Sequence, residues 1–131
     1  MSERNTFRKH GKLIPFLVAA VLIEAGKLVA VNAAGYLVEA SDAAGIIVVG
    51  IADETVDNSA GNAGDLSCTV RRGEAYLLAN SATNPVVQAS VGSNVFVEDD
   101  ETVAVAAGPT NDIVAGVCLE VGADGVWIAV G

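Results

Sequence analysis

The chain has 131 residues, 52% of them hydrophobic but only 5% aromatic, with a formal net charge of −9. That length supports one domain with a modest core. An apolar set drawn from Val, Ala, Ile and Leu, mixed with 14 Gly, suits short strands and tight turns and argues against a helical bundle. An acidic body repels phosphate backbones, which argues against nucleic-acid binding as the main role.

The charge is unevenly placed. Residues 1–12 carry Arg4, Arg8, Lys9 and Lys12 against Glu3, whereas the other 119 residues carry only Lys27, Arg71 and Arg72 against fifteen acids. The expected organisation is a basic, extended N-terminal arm over residues 1–12 and a single β-rich domain over residues 13–131. The arm has no strand or helix periodicity, and Phe7 is its one apolar anchor. It reads as a segment that orders on a partner, with an ordinary frayed terminus as the plainer alternative.

An apolar run over residues 13–23 follows the basic stretch, as in a signal peptide. Pro15 interrupts it, Glu24 closes it, and the Ala19-Ala20 pair lies inside it. It is therefore read as extended chain rather than a leader, and it is too short to span a membrane. Pro15 cannot donate to a ladder, so it predicts a sheet edge or a partner-facing strand.

Residues 28–31 and 36–39 flank Asn32-Ala33-Ala34-Gly35 and predict a hairpin. Residues 46–52 form a near-continuous apolar run, expected as a strand buried on both faces. Residues 53–65, rich in Asn, Asp, Gly and Ser, read as a long mobile surface loop. Residues 66–71 and 74–79 flank Arg72-Gly73 and predict a second hairpin. One short helical turn is placed within residues 86–90. Further strands are expected over 94–98, 102–106, 112–121 and 126–130. About ten short strands with regular turns predict an all-β sandwich or barrel.

Shifting the chain by 66 residues lays residues 26–54 on 92–120 with eight of 29 positions identical. Two similar β-units packed about a pseudo-twofold axis would produce this pattern, and so would a shared strand-turn-strand grammar. The shift pairs Gly50 with Gly116. Glycine inside a buried strand marks a bulge or a close backbone approach.

No catalytic or cofactor constellation emerges. His10 is the single histidine and lies in the arm, with no second histidine or nearby cysteine to share a metal. Cys68 and Cys118 sit in apolar or alternating runs and are expected as buried free thiols. The run Glu98-Asp99-Asp100-Glu101 lacks the spaced carboxylates of a calcium loop and reads as a solvated hairpin tip. Arg71-Arg72 suits either an acidic neighbouring subunit or a local ion pair with Glu74. Tyr76 and Trp127 sit in strands, where core packing is the default and a subunit interface the alternative.

Six segments carry a resemblance. VAVNAAGY (residues 29–36), VDNSAGNAGD (56–65), VRRG (70–73), LANSATNPV (78–86), VEDDETVA (97–104) and GVW (125–127) resemble the small capsid decoration, or cement, proteins of tailed phages and Mu-like prophages. The likeness covers about residues 5 to 131. It implies a non-enzymatic structural protein without cofactor or membrane role, on the outer capsid surface of the virion. Its partners would be the major capsid protein and further copies of itself, as a homotrimer at three-fold and quasi-three-fold positions. Arg4, Phe7, Arg8, Lys9, Lys12 and Pro15 then fall to capsid contact, and Arg71, Arg72, Tyr76 and Trp127 to the subunit interface. The competing reading is a virion-associated module that binds host glycans, or a small hydrolase using Asp53, Glu54, Asp99 and Asp100. Acid–base work would require those carboxylates to be buried, and they fall in turn contexts.

Overall fold

A computed structural model describes residues 12–106 and 108–130. Among them are twelve strands and a single 3-10 turn at Gln88–Ser90. No helix there is long and apolar enough to cross a membrane. The all-β expectation holds, and the barrel form of it is the one adopted. Of the expected arm over residues 1–12, residues 1–11 lie outside the described residues.

The first half of the chain supplies β1 (Leu13–Leu17), β2 (Leu22–Ile23), β3 (Leu28–Val31), β4 (Leu37–Glu39), β5 (Ile47–Ala52), β6 (Val56–Asp57) and β7 (Ser67–Arg71). Five of them form one sheet in the order β1-β7-β5-β3-β4, while β2 pairs with β6 beside it. The second half supplies β8 (Glu74–Asn80), β9 (Asn94–Val97), β10 (Thr102–Ala104), β11 (Val114–Gly122) and β12 (Gly125–Val130). These close into a barrel in the order β10-β8-β12-β11-β9.

The two orders are the same arrangement made twice. Across β3 and β5, Val29 pairs with Gly50 and Ala30 with Val48, skipping one residue. Across β9 and β11, Val95 pairs with Gly116 and Phe96 with Val114, skipping the equivalent residue 66 positions later. The bulge is thus repeated along with the strands. The match extends to β7, where Ile51 faces Arg71, and to β12, where Val117 faces Ala129. It extends also to β1 and β8, which flank β7 and β12 in matching register.

Closure is repeated too. In the second barrel Val103 pairs in parallel with Asn80, and Ser81 N–H donates to Val103 O at 2.9 Å. In the first, Val18 forms a parallel bridge with Leu37, and Ala19 N–H donates to Leu37 O at 3.0 Å. The first sheet therefore also curls onto itself, closed by one bridge where the second barrel has two pairs.

Side-chain volume follows the same equivalence. Val29, Leu37, Ala52 and Val70 inside the first barrel stand where Val95, Val103, Cys118 and Ile128 stand inside the second, and all eight are buried. Period-two alternation points these positions inward. Gly50 and Gly116 allow the tight coiling. A Cβ on Gly50 would lie 2.4 Å from Arg71 O, and one on Gly116 would lie 2.2 Å from Ala129 O. Only the missing side chain lets the neighbouring strand cross so closely.

Three local expectations are corrected. Arg72-Gly73 is not a hairpin turn. Arg72 N–H donates to Lys12 O at 2.7 Å in the first barrel, and Gly73 N–H donates to Val130 O at 2.9 Å in the second. The pair is a two-residue link between barrels. Residues 53–65 are not a free loop, because β6 pairs with β2 and Asn58 is buried within the segment. The Asn58 amide donates to Val18 O (3.2 Å), Ala19 O (3.1 Å) and Asn62 O (2.9 Å). Finally, β5 is buried only over its second half, and Ile47 is 69% exposed, because the pairing with β7 reaches only Ile51 and Ala52.

The barrels share a core. Leu28, Ala30 and Ile51 on the outside of the first barrel join the cluster that holds Leu78, Val95 and Val126 of the second. Polar contacts frame this junction. Leu28 N–H donates to Asp100 O at 2.8 Å, and Lys27 Nζ reaches Asp100 at 3.4 Å and Glu101 at 3.1 Å. Thr110 and Asn111 N–H groups donate to the Asp42 carboxylate at 2.6 and 2.8 Å. The acidic run expected as a solvated tip is therefore the β9–β10 turn docked on Lys27.

Candidate functional site

Strand alternation decides which large side chains face out. In β12, Val126, Ile128 and Val130 point inward and are buried, so Trp127 points outward and is 40% exposed. Its cross-strand partner on β8 is Leu77, also exposed. On the other flank, β11 presents Val117 and Leu119 outward. These four make an apolar face across three adjacent strands of the second barrel, with the exposed acid Glu120 registered directly opposite Trp127 within it. Tyr76, beside Leu77, faces inward and packs against the core. Its hydroxyl is buried without a hydrogen-bond partner among the described residues, and burial raises its pKa above the ordinary phenol value.

The basic pair divides. Arg71 Nε donates to Asp53 at 3.2 Å, and its guanidinium lies 3.9 Å from Glu74. The hydrogen bond to Asp53 holds its pKa above the usual value. Within the chain Arg71 forms a local ion pair, chiefly with Asp53 rather than Glu74. Arg72 turns the other way, into a groove between the barrels of about 550 Å³. Its Nε is buried with no hydrogen-bond partner among the described residues.

At the N-terminal end, Lys12 is exposed and leads into β1, an edge strand whose ladder partner is β7. Val18 N–H points at β7, donating to Leu66 O at 2.9 Å. By alternation the N–H groups of residues 14 and 16 point the same way and position 15 points to the open side. Pro15 thus sits at an edge with its absent donor facing outward, which blunts that edge. Leu13 and Leu17 flank it and are exposed. Arg4, Phe7, Arg8 and Lys9 lie outside the described residues.

The carboxylates of the hydrolase reading are not brought together. Asp53 pairs with Arg71, and Glu54 accepts from Thr69 N–H at 3.0 Å. Asp99 accepts from Glu101 N–H at 3.0 Å, while Asp100 pairs with Lys27. Among the described residues no group of three or more His, Cys, Asp or Glu side chains is placed to hold a metal ion. Cys68 and Cys118 are buried free thiols in separate barrels, and burial raises the pKa of each.

The six segments of the resemblance fall mainly at barrel ends, where side chains build the turns. Asn32 Oδ1 accepts from Ala34 and Tyr36 N–H, both at 3.0 Å. Asn80 exchanges two hydrogen bonds with the Val86 backbone. Sequence reasoning did not anticipate the apolar face as a unit or the inter-barrel groove, although the alternation in β12 was enough to place Trp127 outward. Comparison with family models, curated proteins and solved structures gives no match to this chain.

Proposed function

We propose that the chain is a capsid decoration protein that binds the outer surface of a phage head and stabilises the major capsid protein lattice as a trimer. The observation that carries this reading is the apolar face of Leu77, Trp127, Val117 and Leu119 on an otherwise acidic molecule. A contiguous apolar patch on a small soluble domain marks an interaction surface, and Trp is enriched at interface centres. Support comes also from the resemblance, and from the basic residues Arg4, Arg8, Lys9 and Lys12 leading into the blunted edge strand β1. On a lattice, many copies make modest individual contacts sufficient, and a ligand that binds only the mature shell stabilises it by mass action.

The test has two parts. Light scattering at two concentrations should give about three times the 13.2 kDa monomer mass, and Trp127→Glu should reduce it to the monomer without loss of far-UV circular dichroism. Co-sedimentation with undecorated heads should show saturable binding that deletion of residues 1–12 weakens. A monomer that is indifferent to Trp127→Glu and does not sediment with heads would remove the proposal.

A further inference from the structure

We propose that the chain's own N-terminal arm, residues 1–11, seats in the groove between the two barrels, with Phe7 as its apolar anchor. The inference concerns the free protein and stands apart from the capsid reading.

The groove is walled by Ile46, Ile47 and Val48 of the first barrel and Ile113 and Val114 of the second, with Arg72 at its edge. Ile47 and Val114 are both exposed there, so apolar surface is left in water that an occupant would cover. Backbone is available beside it. The β7 pairing with β5 reaches only Ile51 and Ala52, so residues 47–50 run past the end of β7. An extended segment laid there adds a strand, with main-chain hydrogen bonds giving affinity and side-chain pockets giving register.

The arm is the occupant that geometry favours. β1 is antiparallel to β7, and Leu13 faces Arg71. The chain preceding β1 therefore leaves past the same end of β7 as residues 47–50 of β5. Lys12 O accepts the Arg72 N–H at 2.7 Å, so the arm departs beside a residue whose side chain lines the groove. Phe7 lies five residues before Lys12, a reach of about 17 Å if extended. Charge agrees: four cations against one acid in residues 1–12 meet a body with fifteen acids against three cations. Tethering places the arm at a local concentration on the order of millimolar, so a weak contact suffices.

The test uses the full chain with a nitroxide at Thr6→Cys. The native thiols Cys68 and Cys118 are both buried and escape labelling. Paramagnetic broadening should erase the methyl signals of Ile47, Val48 and Val114 while sparing Leu77 and Leu119, which lie outside the groove. Ile47→Glu, at an exposed position that the fold tolerates, should restore the Val48 and Val114 signals, and Phe7→Ala should do the same. Broadening spread evenly over the acidic surface, or unchanged by either substitution, overturns the proposal. In a mixture of labelled chains with isotope-enriched unlabelled chains, the enriched signals should stay sharp. If they broaden, the arm belongs to a second copy and the assignment to the chain's own arm fails.

Discussion

Gly116→Ala is the most direct test of the duplicated barrel. Two effects compete. Replacing a strand glycine with alanine ordinarily stabilises by about 0.5–1 kcal/mol, because the unfolded chain loses freedom. Here the new Cβ would sit 2.2 Å from Ala129 O and 3.0 Å from its carbonyl carbon, where ordinary contact begins near 3.4 Å. The obstacle is backbone in a paired strand, so about 1 Å of relief must come from moving β12 away from β11. Overpacking of this kind costs about 1–3 kcal/mol, and a weakened ladder hydrogen bond adds about 1 kcal/mol. The clash wins, leaving a net loss of about 2–3 kcal/mol, or roughly 10 °C in Tm for a domain of this size. Gly50→Ala should cost a similar amount, since its Cβ meets Arg71 O at 2.4 Å and Val70 Cγ1 at 2.7 Å. Gly122→Ala is the control: nothing lies within 4 Å of its Cβ, and the change should stay within about 0.5 kcal/mol. Urea unfolding followed by far-UV circular dichroism reads all three. Because the core cluster spans both barrels, one transition is expected in each variant. A Gly116→Ala protein with the wild-type midpoint would refute the view that close strand crossing at this glycine shapes the barrel.

Four further outcomes are expected. Asn58→Ala leaves the carbonyls of Val18, Ala19 and Asn62 without their amide donor, costing about 2 kcal/mol, and should open residues 53–65 to limited proteolysis. Hydrogen bonds from Asn111 and Thr110 hold the Asp42 carboxyl below its ordinary pKa. Its contribution to stability is therefore complete above the unfolded value and lost as pH falls through the folded one, and Asp42→Ala should flatten that part of the acid unfolding curve. Glu39 is the opposite case: burial raises its folded pKa, so the fold gains stability as pH falls through the raised value, and Glu39→Gln should abolish that gain. Neither Cys68 nor Cys118 should react with an aromatic disulfide reagent in the native protein, and both should react in denaturant, since burial raises both thiol pKa values.

Much of the fold was legible in sequence because it rests on local chemistry. Asn32 and Gly35 announce the β3–β4 turn, and Gly35 takes φ +87° there. Gly50 and Gly116 stand out as glycines in apolar runs, and the 66-residue shift aligns them. What escaped was non-local. Arg72-Gly73 has the composition of a hairpin turn, and a link between barrels needs the same residues. The difference lies in the acceptors, Lys12 O and Val130 O, at opposite ends of the chain. Residues 53–65 look like a free loop because their anchor, Asn58, binds carbonyls that precede it by about forty positions. Ile47 looks buried because β5 reads as one apolar run, while the exposure of its first half follows from where β7 stops.

The duplication also bears on why the apolar face exists. If a barrel of this kind needed large outward apolar side chains, both copies would carry them. The register gives the equivalents: Leu77 corresponds to Pro15, Trp127 to Thr69 and Val117 to Ile51. In the first barrel these positions hold an edge proline, a polar side chain and an isoleucine buried against the second barrel. The architecture thus closes with Thr69 where its twin has Trp127, so barrel closure does not require the Trp127 side chain. The exposed part of the indole beside Leu77 would gain further stabilisation if a partner covered it. Trp127→Thr, which copies the first barrel's own solution, should then leave the unfolding midpoint within about 0.5 kcal/mol of wild type while abolishing the self-association proposed above. A large loss of stability in that variant would instead make Trp127 part of the fold and remove the strongest argument for a docking surface there.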